Sequence, residues 1–124
     1  MVNLLVELSQ QIRIFLKTLH DRVYWEIAPE NAVYPYLVYD FQLYPNGEGG
    51  EIVTLSIDGW DKTLVGDTTA LEVLMAKVKT MDKEVIATDN LSVVFFNENM
   101  LSVSDDDKTL RHRSYNYNGK LIRR

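Results

Sequence analysis

The sequence predicts an α+β fold: two helices packed on one face of a largely antiparallel, mixed β-sheet. Three observations lead there. Apolar residues recur at spacings of three and four over 3–19 and again over 68–81. Apolar and polar residues alternate over 36–44 and 51–60, on either side of a Gly-rich turn. Three more β-rich segments follow the second helical one, and two helices on one side of a sheet is the natural layering for that set.

The elements follow in order. Leu5, Leu8, Ile12, Phe15, Leu16 and Leu19 form the stripe of the first helix, which ends near His20-Asp21. Val23-Tyr24-Trp25 is a short strand, and Pro29-Glu30-Asn31 marks a loop. Pro35 opens the strand 36–44, with Leu37, Tyr39, Phe41 and Leu43 on one face and Val38, Asp40 and Gln42 on the other. Residues 45–50, Pro-Asn-Gly-Glu-Gly-Gly, are dense turn chemistry. In the strand 51–60, Val53, Leu55 and Ile57 alternate with Thr54, Ser56 and Asp58. Leu71, Leu74, Met75, Val78 and Met81 line the second helix, with either Asp67 as N-cap or Thr69 and Glu72 as a capping box. Strands 84–88 and 91–97 come next, and Val93-Val94-Phe95-Phe96, apolar on both faces, suits a central position. A polar loop over 98–107 contains Asp105-Asp106-Asp107, a last strand spans about 109–117, and Asn118-Gly119 is a turn. Residues 1–124 therefore read as one α+β domain with a basic C-terminal strand and tail at about 108–124.

The last strand carries Arg111, Arg113, Tyr115 and Tyr117 on one face and His112, Ser114 and Asn116 on the other. A polar, cationic strand fits an exposed edge protected against aggregation. It fits equally a subunit contact, where Arg and Tyr are favoured. Net charge is −5, unevenly spread: six basic residues and no acidic one follow position 107, and all 18 acidic residues lie within residues 1–107. That asymmetry suits complementary surfaces between subunits, or a basic tail neutralising an acidic body.

Composition excludes several chemistries. With no cysteine there is neither a disulfide nor a thiolate metal site nor a cysteine nucleophile. No apolar run is long enough to span a bilayer, so no membrane role is expected, and the interrupted N-terminal apolar stretch does not resemble a signal peptide. Asn46-Gly47-Glu48-Gly49-Gly50 lacks the Lys-Ser/Thr ending of a phosphate loop and leads into a strand. His20 and His112 have no ligand-spaced neighbours, and Asp105–Asp107 lacks the alternation of a calcium loop. There is no Gly-x-Ser-x-Gly elbow, and on a strand Asp58 and Asp61 point to opposite faces. No catalytic residue, cofactor or metal site is expected. The sequence pI near 4.9 argues against a nucleic-acid reader, although Arg111, Arg113, Tyr115 and Tyr117 could grip a single strand.

The order of elements resembles the tail terminator, tail completion and tail-to-head joining proteins of long-tailed bacteriophages. The residues that carry the resemblance begin with the amphipathic first helix, Ile27-Ala28-Pro29 and Pro35-Tyr36-Leu37-Val38-Tyr39. They continue with Ile57-Asp58-Gly59-Trp60-Asp61, Leu71-Glu72-Val73-Leu74 and the acidic loop running into a polar strand. The resemblance implies a structural, non-enzymatic virion protein made in the host bacterial cytoplasm. It implies a ring, usually a hexamer, at the head-proximal end of the tail tube that stops tube polymerisation and meets the head connector. DNA would pass through the lumen without sequence readout. The family supplies no catalytic residues. Candidate contacts are Arg111, Arg113, Tyr115 and Tyr117 on the last strand, Asn46 and Gly47 in the first loop, and Asp105, Asp106 and Asp107 in the second. The alternatives are a head-completion or connector adaptor of the same virion, and a small host-directed binding module.

Overall fold

In the computed structural model, residues 3–45 and 50–123 are described. Helix α1 (Leu4–Lys17) begins at Asn3, whose Oδ1 accepts from the Val6 amide at 3.2 Å. It buries Leu8, Ile12 and Leu16, whereas Leu5 is 48% exposed and falls off the stripe. Helix α2 (Thr69–Val78) buries Leu71, Leu74, Met75 and Val78 and passes into a 3₁₀ turn at Lys79–Met81. Asp67, one residue before the cap Thr68, accepts from the amide and hydroxyl of Thr69. Those two bonds, the hydroxyl first, hold its carboxyl below the ordinary carboxylate range. The alternative capping box does not form, because the Glu72 carboxylate turns to Arg113.

The strands are β1 (Val23–Trp25), β2 (Tyr36–Pro45), β3 (Gly50–Lys62), β4 (Val85–Ala87), β5 (Leu91–Val103) and β6 (Leu110–Arg123). They form one six-stranded sheet in the order β1-β2-β3-β6-β5-β4. Only β1 against β2 is parallel. The expected α+β layering is present. Leu37, Tyr39 and Phe41 of β2, Val53, Leu55 and Ile57 of β3, Val93 and Phe95 of β5, and Tyr117 and Leu121 of β6 are buried with the apolar stripes of both helices. Two glycines allow close approach. A Cβ on Gly59 would stand 2.4 Å from Met75 Sδ, and one on Gly119 would stand 2.4 Å from the Val94 carbonyl oxygen.

Four expectations change. The last strand is not an edge: β6 lies between β3 and β5, paired with β3 from Leu110 to Ile122. A strand with a polar face can sit centrally when the sheet has one dry and one wet face, as antiparallel sheets allow. Asn118-Gly119 is no turn but continues β6, opposite Thr54 and Val53. Residues 98–103 are not loop but the second half of β5, carried past a bulge between Asn97 and Asn99. Finally, Val93 and Val94 are paired on both sides, to β4 and β6, whereas Phe96 is half exposed at the end of that pairing.

Candidate assembly surfaces

The sheet face opposite the helices carries no covering layer among the described residues. Alternation on β3 and β6 puts Thr54, Ser56, Asp58 and Trp60 there, beside His112, Ser114, Asn116 and Asn118. Their polar groups satisfy one another. His112 Nε2 lies 3.0 Å from Asp58 Oδ1, and its ring stacks on Trp60 with centroids 3.8 Å apart. Ser56 and Ser114 hydroxyls are 3.4 Å apart, Asn116 donates to Asn99 Oδ1 at 2.7 Å, and Asn118 donates to Glu98 Oε2 at 3.1 Å. A cross-linked polar face of this kind is stable in water and can line a wet surface or a subunit contact.

The Asp58–His112 pair was not legible from the sequence. His112 sits between two arginines there, but those neighbours point to the helix side and the imidazole meets β3. Only the β3–β6 register, Trp60 opposite His112, brings the pair together. Two members of an acid–base relay are thus present. The nearby Ser114 hydroxyl is directed at Ser56, so no nucleophile–base bond forms among the described residues. At one end of the same face, Tyr24 and Tyr34 both pack on Tyr36, at 5.9 and 5.2 Å between centroids. Next to them a cleft of about 290 Å³ is lined by Glu26, Tyr36, Val38, Asp58 and Trp60. Among the described residues there is no group of three or more His, Asp or Glu that could hold a metal ion. No helix is long and apolar enough to cross a membrane.

The residues expected to make contacts separate into distinct environments. Tyr117 is a core residue, 1% exposed, with its hydroxyl donating to the Val78 carbonyl at 3.1 Å. Burial, followed by the Tyr115 and Asp82 charges, pushes that phenol well above the ordinary range. It is therefore removed from any contact surface of the folded chain. Arg113 reaches Glu72 of α2 at 2.8 Å, and Arg123 pairs with Glu51 of β3. Basic residues of the C-terminal segment thus meet the acidic body inside one chain. Arg111 donates instead to the carbonyls of Lys108 and Leu110, and Tyr115 is half-buried on the helix side near Glu72 and Arg113. Asp105 and Asp107 organise the β5–β6 turn: Asp105 accepts from the Asp107 amide, and Asp107 accepts from the hydroxyl and amide of Thr109. Asp106 is exposed in that turn. Asn46 and Gly47 lie outside the described residues.

One surface, expected only as part of a contact loop over 98–107, is instead an exposed strand. Every residue of β5 from Glu98 to Val103 is exposed, including Met100 and Leu101 at 48% each. The alternation of Leu101 and Val103 with Met100 and Ser102 was the available signal. The loop-like composition of Asn97-Glu98-Asn99 obscured it, and those residues form the bulge.

No family model matches the sequence, and no curated protein matches it. Solved structures do match the fold. One of these chains, described as "Virion of native gene transfer agent (GTA) particle", has a TM-score of 0.64 and 16% sequence identity, covering 91% of this chain and 90% of its own. Likeness at that identity establishes a shared fold, two helices over one face of a curled mixed sheet.

Proposed function

We propose that this chain is a structural virion protein of a phage-like particle, which forms a ring at the head-proximal end of a tail tube, ends tube polymerisation and joins the tail to the head connector. The observation that carries the reading is the near end-to-end likeness of its fold to a chain of a gene transfer agent virion. The sequence resemblance to tail terminator and tail completion proteins points the same way. So does the build of the molecule: a sheet with one uncovered polar face and exposed strand arms offers surfaces for neighbours.

In this role the chain acts without catalysis. Its partners are further copies of itself, six in the ring, together with tail tube protein and the head connector. DNA passes through the lumen without base readout. Arg111, Tyr115 and the Asp105–Asp107 turn are the described candidates for contact with neighbours, and Asn46 and Gly47 complete the set.

The test is electron microscopy of the protein incubated with a phage tail-tube protein. A ring capping one end of each tube is the expected result. Binding to the connector with no effect on tube length would instead assign the head-side adaptor role. A monomer that leaves tubes untouched and ignores the connector would overturn the virion reading.

A further inference from the structure

Besides the short outer strands β1 and β4, two stretches of strand among the described residues have one side unpaired, and they are complementary. β4 pairs only with Ser92–Val94 of β5, so the five residues from Asn99 to Val103, past the bulge, are paired to β6 alone. β1 pairs only with Leu37–Tyr39 of β2, so beyond Phe41 that strand is bonded to β3 alone. Exposed edges are normally protected by charge, proline or shortness. Here Asn99-Met100-Leu101-Ser102-Val103 has no charge and no proline, and neither does Phe41-Gln42-Leu43-Tyr44.

We propose that the free edge of β5 pairs with the free edge of β2 from a second copy of the chain, in antiparallel register with Leu43 opposite Met100 and Phe41 opposite Ser102. The closure of such pairs into a ring rests on the functional reading above; the pairing itself rests on the two edges.

Direction fits first. β2 and β6 both run antiparallel to β3, and β5 runs antiparallel to β6, so β5 meets a neighbour's β2 antiparallel when copies repeat side by side. Hydrogen-bonding phase fits second. On β5 the Lys83 amide donates to Phe95 O, the Phe95 amide to Glu84 O, and the Asn97 amide to Asp82 Oδ1. The main-chain groups of 95 and 97 therefore point away from β6. The bulge skips one residue, so past it the outward groups belong to Met100 and Ser102. On β2 the Leu37 amide donates to Arg22 O and Tyr39 O accepts from the Glu26 amide, which makes the odd positions outward. The outward Phe41 amide donates to Asp40 Oδ1 at 2.9 Å, so Phe41 offers its carbonyl and Leu43 is the first position with both outward groups in phase. Pro45, with no amide hydrogen, also falls on an outward position and interrupts no internal bond.

Face fits third. Met100 and Ser102 lie opposite Tyr115 and Arg113, on the helix side, and Phe41 and Leu43 lie opposite Leu55 and Val53, on the same side. Residues directly opposite in an antiparallel pair share a face. The proposed register thus keeps the helices of both copies on one side of a continuous sheet. The two edges also lie at opposite ends of the strands: β4 covers the Leu91 end of β5 and β1 the Tyr36 end of β2. Successive copies would then step along the strand direction, as strands do in a closed, sheared sheet.

The native chain has no cysteine, which permits a clean cross-linking test. Gln42 and Leu101 face each other across the proposed pair. Mixing Gln42→Cys with Leu101→Cys under mild oxidation is expected to give a disulfide-linked pair of chains that neither variant gives alone. Ser102→Pro removes an outward amide and spares the β6 ladder. It is expected to leave the melting curve near that of the parent while weakening self-association, measured by sedimentation at up to about 1 mM, by about tenfold or more. Leu101→Cys linking to itself in preference to the mixture would overturn the register in favour of a two-fold β5–β5 contact. A monomer with no cross-link at every concentration would overturn the pairing outright. Tube capping that survives Ser102→Pro without any 42–101 link would sink the edge pairing and leave the ring reading intact. A link with no binding to tubes or connector would do the reverse.

Discussion

Arg113 Nε donates to Glu72 Oε1 at 2.8 Å, fastening the centre of the sheet to the first turn of α2. The strand that looks cationic in the sequence is therefore partly neutralised at home. Glu72 is 52% exposed, so solvent weakens the pair, and a double-mutant cycle with Ala at both positions is expected to give under about 1 kcal/mol of coupling. Arg113→Glu differs in kind, because it sets like charges together at the α2 contact. Thermal melts are expected to show Arg113→Glu less stable than Arg111→Glu, whose native partners are backbone carbonyls. Equal melting points would mean that the Glu72 contact adds nothing to the fold.

The helices and the β2–β3 pairing were legible because each rests on a local period. Leu8, Ile12 and Leu16 announce a helix, and Val53, Leu55 and Ile57 a strand, whatever lies beside them. The place of β6 in the sheet was not legible. Its polar residues look alike whether they face water on an edge or on an open face, and only pairing with β3 and β5 decides between these. The same limit hid Asp58 from His112, which are 54 residues apart and meet only through register. Tyr117 shows the converse error. Its place on one strand face with Arg111, Arg113 and Tyr115 suggested a contact surface, but a phenol that finds a buried carbonyl belongs in a core.

The two glycines that permit close approach should respond differently to alanine. At Gly59 the obstacle is Met75 Sδ at 2.4 Å and Leu71 Cδ1 at 3.0 Å, which are side chains and can shift. Gly59→Ala is expected to cost about 1–3 kcal/mol, the usual range for overpacking a core. At Gly119 the obstacle is the Val94 carbonyl oxygen of the neighbouring strand, which cannot move without displacing β5. Gly119→Ala is expected to be the worse of the two in chemical denaturation. The opposite order would mean that β5 yields more easily than the core.

A tyrosine hydroxyl ties each helix to the sheet. Tyr39 donates to the Ser9 carbonyl at 3.1 Å and lies 2.9 Å from the Ser9 hydroxyl on α1, as Tyr117 does to Val78 on α2. Tyr39→Phe and Tyr117→Phe keep the ring volume and remove the bond. Each is expected to cost about 1–2 kcal/mol, because a buried acceptor is left unpaired. The sites share no partner, so the double variant should lose about the sum within ~0.5 kcal/mol. Urea unfolding curves of the four proteins check both statements.

The Tyr117 phenol also sets an alkaline limit. Burial holds its proton above the ordinary value of 10.0, so the folded chain keeps a proton that the unfolded chain releases. The stabilisation is present in full below the unfolded value and falls as pH rises through and beyond it. For one proton the fall approaches about 1.4 kcal/mol per pH unit. Tyr39 is raised as well, chiefly by burial, and adds to the slope in the same direction. Stability measured from pH 9 upward is therefore expected to decline from about pH 10, and less steeply in Tyr117→Phe than in the parent. The variant starts lower at neutral pH because it lacks the Val78 bond, so the two curves should converge as pH rises. Parallel curves would show that Tyr117 ionises in the folded state as readily as in the unfolded one, and that the hydroxyl is less sheltered than its contact with Val78 implies.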